Sequence, residues 1–146
     1  MIPASVIVLT RNEAAPLPRC LAALKGFSQI FVVDSGSTDG TQAAAQRHGA
    51  FFVPYVWGGR YPKKKQWCLD HLPFSHDWVF YVDADEVVSP ELAEEMRALF
   101  FAGPRNDGYF IAGQMGWRGQ GGNRLDPDSQ RCLFHRLQCH FGWSAR

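Results

Sequence analysis

The chain has 146 residues, of which 46% are hydrophobic, 20% charged and 14% aromatic; this composition excludes intrinsic disorder, a collagen-like repeat and a charged coiled coil. The length predicts one domain over residues 1–146. Fifteen basic and fourteen acidic residues leave a formal charge of +1, so no overall field attracts nucleic acid.

Two patterns of apolar residues alternate along the first 112 residues. One is a short continuous apolar run, and the other is a segment whose apolar residues recur at helical spacing. The predicted strands cover residues 5–10, 29–34, 50–53, 78–82 and 109–112. The predicted helices start near Asn12, Ala43, Lys63 and Ser89 and end at Gly26, Gly49, Leu72 and Phe100. Strands and helices in alternation predict an α/β fold with a mostly parallel sheet and helices on both of its faces.

Two of the helix starts carry specific signals. Asn12 is a candidate cap for the first helix, with Pro16 and Pro18 in its first turn. Ser89 offers a capping hydroxyl to the last helix, and Pro90 occupies its first position. After Gly113 the periodic pattern stops, and no strand or helix is predicted for residues 114–146.

Polar residues follow three of the predicted strands. Thr10, Asp34 and the pair Asp83 and Asp85 stand at the carboxyl ends of these strands. In open parallel α/β sheets, ligands bind beyond these ends, so we expect the residues to converge on one edge. The sequence thus predicts a binding site there.

Asp83 and Asp85 are separated by a single residue, so in an extended chain both carboxylates point the same way. Such oxygen ligands suit Mg²⁺ or Mn²⁺, commonly together with substrate phosphates. The alternative is that Asp85 and Glu86 cap the following turn.

Phosphate-binding glycine motifs of the Walker and dinucleotide types are absent from the sequence. The polar turn over residues 34–41 instead offers hydrogen-bond acceptors and a close approach at glycine, as the base and ribose of a nucleotide require. Lys63, Lys64 and Lys65 are candidates for contact with a diphosphate. A solvated helix start explains each lysine equally well.

Four motifs in order resemble the family 2 glycosyltransferases, a group with the Rossmann-like GT-A fold. They are SVIVLTRNE (5–13), VDSGSTDGT (33–41), KQWCLD (65–70) and VDADE (82–86). Within the family they are most similar to bacterial enzymes that add sugars to lipopolysaccharide core or other surface glycans. The resemblance covers residues 4–113 and marks residues 1–113 as a nucleotide-sugar-binding part.

This resemblance implies a nucleotide-sugar donor, a metal-assisted and inverting transfer, and a glycan or lipid-linked saccharide acceptor. It places Thr10 and Asn12 near the nucleotide, Asp83 at the ribose or donor sugar, and Asp85 on the metal. The complete set of implied donor-binding residues is Thr10, Asn12, Asp34, Ser35, Gly36, Lys65, Asp83 and Asp85. The implied location is cytoplasmic, at the inner face of the cell membrane, with at most peripheral membrane contact.

The catalytic base of relatives lies past the matched region, and we expect residues 114–146 to form only part of an acceptor region. Asp126 and Asp128 are the late carboxylates available for that role. A family motif ending in Leu-Phe-x-Arg136 is present, but Cys132 stands where arginine is expected. We therefore expect this chain to bind donor and to transfer sugar poorly.

Two alternatives remain open from the sequence. Residues 83–87 also match the motif of haloacid-dehalogenase-like phosphatases, with Asp83 as nucleophile, although that family places the motif after its first strand. The second alternative is a truncated remnant that binds a metal–nucleotide complex without turnover.

Overall fold

The computed structural model describes residues 1–59, 64–111 and 131–137. The strands are β1 (Ile2–Thr10), β2 (Phe27–Asp34), β3 (Phe51–Pro54), β4 (Trp78–Asp83), β5 (Gly108–Ile111) and β6 (Arg131–His135). The helices are α1 (Leu17–Ala22), α2 (Thr41–Arg47), α3 (Lys64–His71) and α4 (Pro90–Ala102). No helix in these described ranges has the length and apolar character that crossing a membrane requires.

The strands form one sheet in the order β3-β2-β1-β4-β6-β5. The first four are parallel to one another, and β6 runs antiparallel to both β4 and β5. Strand β1 is central: Val8 pairs with Val32 on one side and with Val82 on the other. The predicted α/β fold with a mostly parallel sheet is confirmed.

Helices cover both faces of the sheet because side chains alternate along each buried strand. Val6 and Val8 of β1 pack in a core that contains side chains of α1, α2 and α4. Ile7 faces the other way, into a second core that includes Cys68 of α3 and Leu72. Two buried layers therefore hold the central strands, and their carboxyl ends are fixed relative to one another.

The start of α1 differs from the prediction. Pro16 is the N-cap residue, Pro18 lies in the first turn, and no side chain caps the helix. Asn12 has a φ of +53° and its Oδ1 accepts a hydrogen bond from the Thr38 N–H at 2.8 Å. The prediction that Asn12 caps this helix was wrong, because its side chain instead accepts a hydrogen bond from Thr38, which is distant in the sequence. Helix α1 also ends at Ala22, before Gly26.

The start of α4 agrees with the prediction. The Ser89 Oγ accepts a hydrogen bond from the Leu92 N–H at 3.1 Å, and Pro90 occupies the first turn. This cap satisfies one of the backbone N–H groups that a helix start leaves without an intrahelical partner.

Strand β6 was not predicted, and the expectation of no strand after Gly113 was wrong. It lies between β4 and β5, with Phe134 paired to Val79 and Leu133 paired to Phe80. Leu133 and Phe134 are buried on opposite faces of the sheet. The glycine-rich residues 116–122 interrupt the periodic pattern before this strand, and the partners that stabilise it are distant in the sequence.

Candidate functional site

Three polar strand ends meet at one edge of the sheet, which we call the carboxyl edge. Thr10 ends β1 and pairs in register with Asp34, the last residue of β2. Asp83 ends β4 and pairs with Leu9, one residue before Thr10. The parallel register therefore brings together the residues that the sequence placed at strand ends.

The Asp34 carboxylate organises the loop that follows β2. It accepts hydrogen bonds from the Thr10 Oγ1 at 2.7 Å, the Gly36 N–H at 3.1 Å and the Ser37 N–H at 2.7 Å, and another from the Ser37 hydroxyl. Burial alone raises the pKa of Asp34, but these hydrogen bonds outweigh burial and lower it. Gly36 has a φ of +83°, which glycine adopts without strain. Asp34 is thus an ionised anchor of the turn.

The loops after β1 and β2 are joined by hydrogen bonds into one unit, the double loop (residues 11–14 and 35–41). The Asn12 N–H donates to the Ser37 Oγ at 2.7 Å, and the Asn12 Oδ1 accepts from the Thr38 N–H at 2.8 Å. The positive φ of Asn12 makes this reciprocal pairing possible. Asn12 is therefore part of the loop framework at the carboxyl edge, and its place near a nucleotide stays a prediction.

Lys64, at the start of α3, reaches the ends of β1 and β2. Its Nζ donates to the Ser35 Oγ at 2.6 Å and to the Thr10 carbonyl oxygen at 3.2 Å. Burial lowers the pKa of Lys64, while the nearby Asp34 carboxylate acts in the opposite direction. A positive charge is therefore held directly beside the double loop.

Lys65, the lysine that the resemblance assigned to the donor, has a different position. Its Nζ lies 5.6 Å from the centroid of the Tyr81 ring. Sequence reasoning treated the three lysines as equivalent candidates for a diphosphate and then favoured Lys65. The structure brings Lys64 to the strand ends. Lys64 precedes the buried Cys68 by four residues and Leu72 by eight, so the three share a helix face, and this spacing is the signal that could have distinguished Lys64 from Lys65.

A cavity of about 370 Å³ adjoins the double loop. Its volume lies within the range of about 300–1,000 Å³ that is usual for small-molecule sites. Its described lining consists of Ser35, Tyr55, Trp57 and Lys64. The Tyr55 N–H donates to the Asp34 carbonyl oxygen at 2.7 Å, and Trp57 is 59% exposed. Sequence reasoning missed both aromatic residues, whose only signal was their place in a glycine-containing loop after a strand.

The chain turns sharply after β4 and gathers three carboxylates. One oxygen from each of Asp83, Asp85 and Glu86 lies within 4.8 Å of the other two. Asp83 is half-buried and Asp85 exposed, whereas Glu86 is only 1% exposed. The predicted pair is therefore a cluster of three. The turn-capping alternative holds for Glu86, whose Oε1 accepts from the Asp83 N–H at 3.3 Å.

The acidic turn makes its surroundings electronegative. Burial raises the pKa of Glu13, and the charges of Asp85 and Asp83 raise it further. Burial likewise raises the pKa of Cys20 to about 12, with added contributions from Glu86 and both aspartates. Hard oxygen ligands in this arrangement fit Mg²⁺ or Mn²⁺, whose charge would offset the repulsion between the carboxylates.

Arg136, the last residue of the Leu-Phe-x-Arg motif, lies at the opposite edge of the sheet from the carboxyl edge, beside the start of β4. Its Nε donates to the His76 carbonyl oxygen and its Nη2 to the Asp77 Oδ1, each at 3.2 Å. Asp126 and Asp128, the candidates for a catalytic base, lie outside the described residues, as does the side chain of Cys132.

Comparison with known proteins gives a consistent result. A family model described as Glycosyl transferase family 2 matches residues 5–128. The chain is 34% identical over 116 residues to the lipopolysaccharide core biosynthesis glycosyltransferase LpsC of Rhizobium meliloti, covering 76% of this chain and 42% of LpsC. It is 35% identical over 100 residues to an uncharacterized glycosyltransferase of Rickettsia felis, covering 66% of this chain and 33% of that protein. The chain thus spans less than half the length of these relatives.

Solved structures show the same architecture. TarS 1-349 of S. aureus superposes with a TM-score of 0.64 at 22% identity, over 82% of this chain and 38% of that one. The mannosyltransferase PcManGT from Pyrobaculum calidifontis, in complex with GDP-Man and Mn²⁺, gives a TM-score of 0.56 at 25% identity, over 77% and 36%.

Proposed function

Because the chain belongs to the family 2 glycosyl transferases and shares the GT-A fold of its solved neighbours, we propose that it binds a nucleoside-diphosphate sugar at the carboxyl edge. The sugar is then transferred, with inversion, to a lipopolysaccharide-type or other surface glycan. One observation carries the proposal: the parallel register joins the double loop, Lys64 and the acidic turn at a single edge.

The nucleoside occupies the cavity beside the double loop in this proposal. Trp57, which is 59% exposed, offers an aromatic ring against which a planar base can stack, and the buried Tyr55 lines the same cavity. Lys64 supplies a positive charge at the same place, and Ser35 a hydroxyl. Asp34 acts through the loop, since the hydrogen bonds that it accepts from Thr10, Gly36 and Ser37 shape this wall of the cavity.

Asp83 and Asp85 hold Mg²⁺ or Mn²⁺ in this proposal. When bound, the cation neutralises charge on the departing nucleoside diphosphate and so lowers the barrier to transfer. The complex of PcManGT with GDP-Man and Mn²⁺ supports the pairing of a nucleotide sugar with a divalent ion in this fold. The exposure of Asp85 leaves its carboxylate accessible to a ligand from solvent.

Inversion also requires a carboxylate to accept the proton of the acceptor hydroxyl, a contribution of roughly 10²–10⁴-fold. Asp126 and Asp128 stay the candidates within this chain. If neither serves, residues 1–146 bind donor and support slow donor hydrolysis without efficient transfer. Transfer to a glycan acceptor that is lost in Asp126→Asn or Asp128→Asn would assign the base to this chain.

The likeness to LpsC supports an acceptor of the lipopolysaccharide-core class. We place the reaction on the cytoplasmic side, with at most peripheral contact to the membrane. The family match decides against the phosphatase alternative. The non-catalytic alternative predicts intact donor binding with neither hydrolysis nor transfer, which the same assays distinguish.

Calorimetric titration of UDP and GDP, with Mn²⁺ and with a chelator, tests the proposal directly. We expect a nucleoside diphosphate to bind at least about tenfold more tightly with Mn²⁺, because the acidic turn otherwise repels the diphosphate. Asp85→Asn should remove most of this gain. Glu94→Gln, at an exposed acid on α4, is the matched control and should bind as the wild type does. Equal affinities with Mn²⁺ and chelator would contradict the metal role.

A further inference from the structure

Glu86 is a carboxylate that the proposed reaction does not use, and its burial sets it apart from its neighbours. It is 1% exposed, whereas Asp85, one residue earlier, is exposed. Ala84 and Val88, which flank it at alternate positions, are buried at 2% and 3% exposure. Glu86 therefore belongs to the inward-facing side of the turn, together with two core residues.

Two hydrogen bonds tie Glu86 to the end of β4. The Glu86 N–H donates to the Asp83 carbonyl oxygen at 3.0 Å, which closes a four-residue turn. In return, the Glu86 Oε1 accepts from the Asp83 N–H at 3.3 Å. From α1, the Cys20 Sγ donates to the same Asp83 carbonyl at 3.6 Å. The backbone of Asp83 is thus held on both of its polar groups.

We propose that Glu86 is a positioning residue for the metal site, holding the turn over residues 83–86 so that Asp83 and Asp85 present their carboxylates together. The inference rests on the proposed function, in which those two aspartates bind the cation. The buried Glu86 side chain holds its Oε1 at the distance from which it accepts the hydrogen bond of the Asp83 N–H. Glu86 does not itself bind the ion. Outer residues that orient metal ligands typically contribute 10–100-fold to metal affinity.

Two substitutions separate this role from direct ligation. Glu86→Gln keeps the length and the acceptor oxygen but removes the charge. Glu86→Asp keeps the charge but shortens the side chain by one methylene, which withdraws the acceptor from the Asp83 N–H. A positioning role predicts that Glu86→Gln retains Mn²⁺ affinity within about threefold, and that Glu86→Asp loses about tenfold or more.

The experiment titrates Mn²⁺ alone and Mn²⁺ with UDP, and follows the free ion by electron paramagnetic resonance. Glu94→Gln and Glu94→Asp, at the exposed position on α4, are matched controls and should leave Mn²⁺ affinity unchanged. Uridine binding without metal, and the midpoint of thermal unfolding, are measured for every variant. We expect uridine affinity to be unchanged in both Glu86 variants, which a general loss of folding would not allow.

Loss of Mn²⁺ affinity in Glu86→Gln would overturn the proposal, because it would assign Glu86 to the ion or to its charge. Full Mn²⁺ affinity in Glu86→Asp would also overturn it. If the wild type itself bound no Mn²⁺, the proposed function would fail first, and the positioning role with it. These outcomes are distinguishable because only the last concerns the unmodified chain.

Discussion

The two ends of the parallel strands both carry many polar side chains, yet they differ in how far those side chains are paired with partners within the protein. The amino edge, where the parallel strands begin, lies opposite the carboxyl edge, and its polar side chains include Ser5, Gln29, Asp77 and Arg136. The Gln29 Oε1 accepts from the Ser5 Oγ at 2.6 Å and from the Ser75 N–H at 2.9 Å. Its Nε2 donates to the Ser75 Oγ and to the Pro73 carbonyl oxygen. The polar groups named here have partners within the protein, and the charged Asp77 is paired with a group of opposite sign, Arg136.

At the carboxyl edge, the acidic turn instead concentrates negative charge, and Lys64 holds a positive charge beside the double loop. Asp83, Asp85 and Glu86 lie close together, and their charges raise the pKa of Cys20 beyond the effect of burial. Because like charges favour a cation or a protonated neighbour, the acidic turn differs in its electrostatics from a network of matched hydrogen bonds. Polarity alone therefore does not distinguish the two edges, whereas the group of like charges does.

The largest effect on stability is expected at the amino edge. Gln29→Ala removes a buried amide and leaves the Ser5 and Ser75 groups without this partner, so unfolding free energy should fall by about 2–4 kcal/mol. Urea denaturation measures the change, and Gln46→Ala at an exposed position on α2 serves as the control. Nucleoside diphosphate affinity should stay unchanged. A stability loss below that of the control would mean that this network is not what holds the edge.

Asp34→Asn should affect both stability and binding, because the carboxylate anchors the turn that lines the cavity. We expect a loss of about 1–3 kcal/mol in unfolding free energy as charge-assisted hydrogen bonds weaken. Uridine and UDP should weaken together, whereas Asp85→Asn should weaken UDP only. Unchanged uridine affinity in Asp34→Asn would restrict the binding site to the acidic turn.

The same carboxylate makes stability depend on pH. The pKa of Asp34 is lowered in the folded chain from the ordinary value of 3.8. Its contribution is therefore complete above the unfolded value and is lost as pH falls through the lower folded value. The free energy of unfolding, measured by urea denaturation between about pH 5 and about pH 2, should decline more steeply for the wild type than for Asp34→Asn. Parallel declines would show that Asp34 is not the group responsible.

Arg136→Met should cost less than either change above. The guanidinium bonds to the half-exposed Asp77 and lies 5.3 Å from the centroid of the Phe74 ring. Partly exposed ion pairs contribute about 0–1 kcal/mol, and methionine keeps some packing on the ring. We expect a loss of about 0.5–1 kcal/mol by urea denaturation, with donor affinity unchanged. Weakened donor binding would extend the functional surface to the amino edge.

The smallest effect on stability is expected for Asp85→Asn, at less than about 0.5 kcal/mol, because the residue is exposed and the change relieves repulsion. Its effect on metal-dependent binding is large by contrast. This variant therefore tests the comparison of the two edges most directly. A stability loss as great as that of Gln29→Ala would make the acidic turn a structural feature and remove the distinction.

Local patterns in the sequence predicted much of this architecture. Strands β1, β2 and β4 were predicted within one to three residues because strands buried on both faces appear as continuous apolar runs. The Ser89 cap was predicted because its donor lies only three residues away. The acids at the strand ends followed from the parallel arrangement of those strands, which alternation with helices implies.

Contacts between distant segments decided the rest. Strand β6 depends on pairing with β4 and β5, and Asn12 pairs with Thr38 instead of capping a helix. Helix packing brings Lys64 to the carboxyl edge, and the turn after β4 buries Glu86. The sequence by itself determined most of the elements and the residue types at the strand ends, since periodicity and capping act over a few residues. Only the tertiary structure decided which side chains meet at the carboxyl edge, because that depends on side-chain direction after the layers have packed.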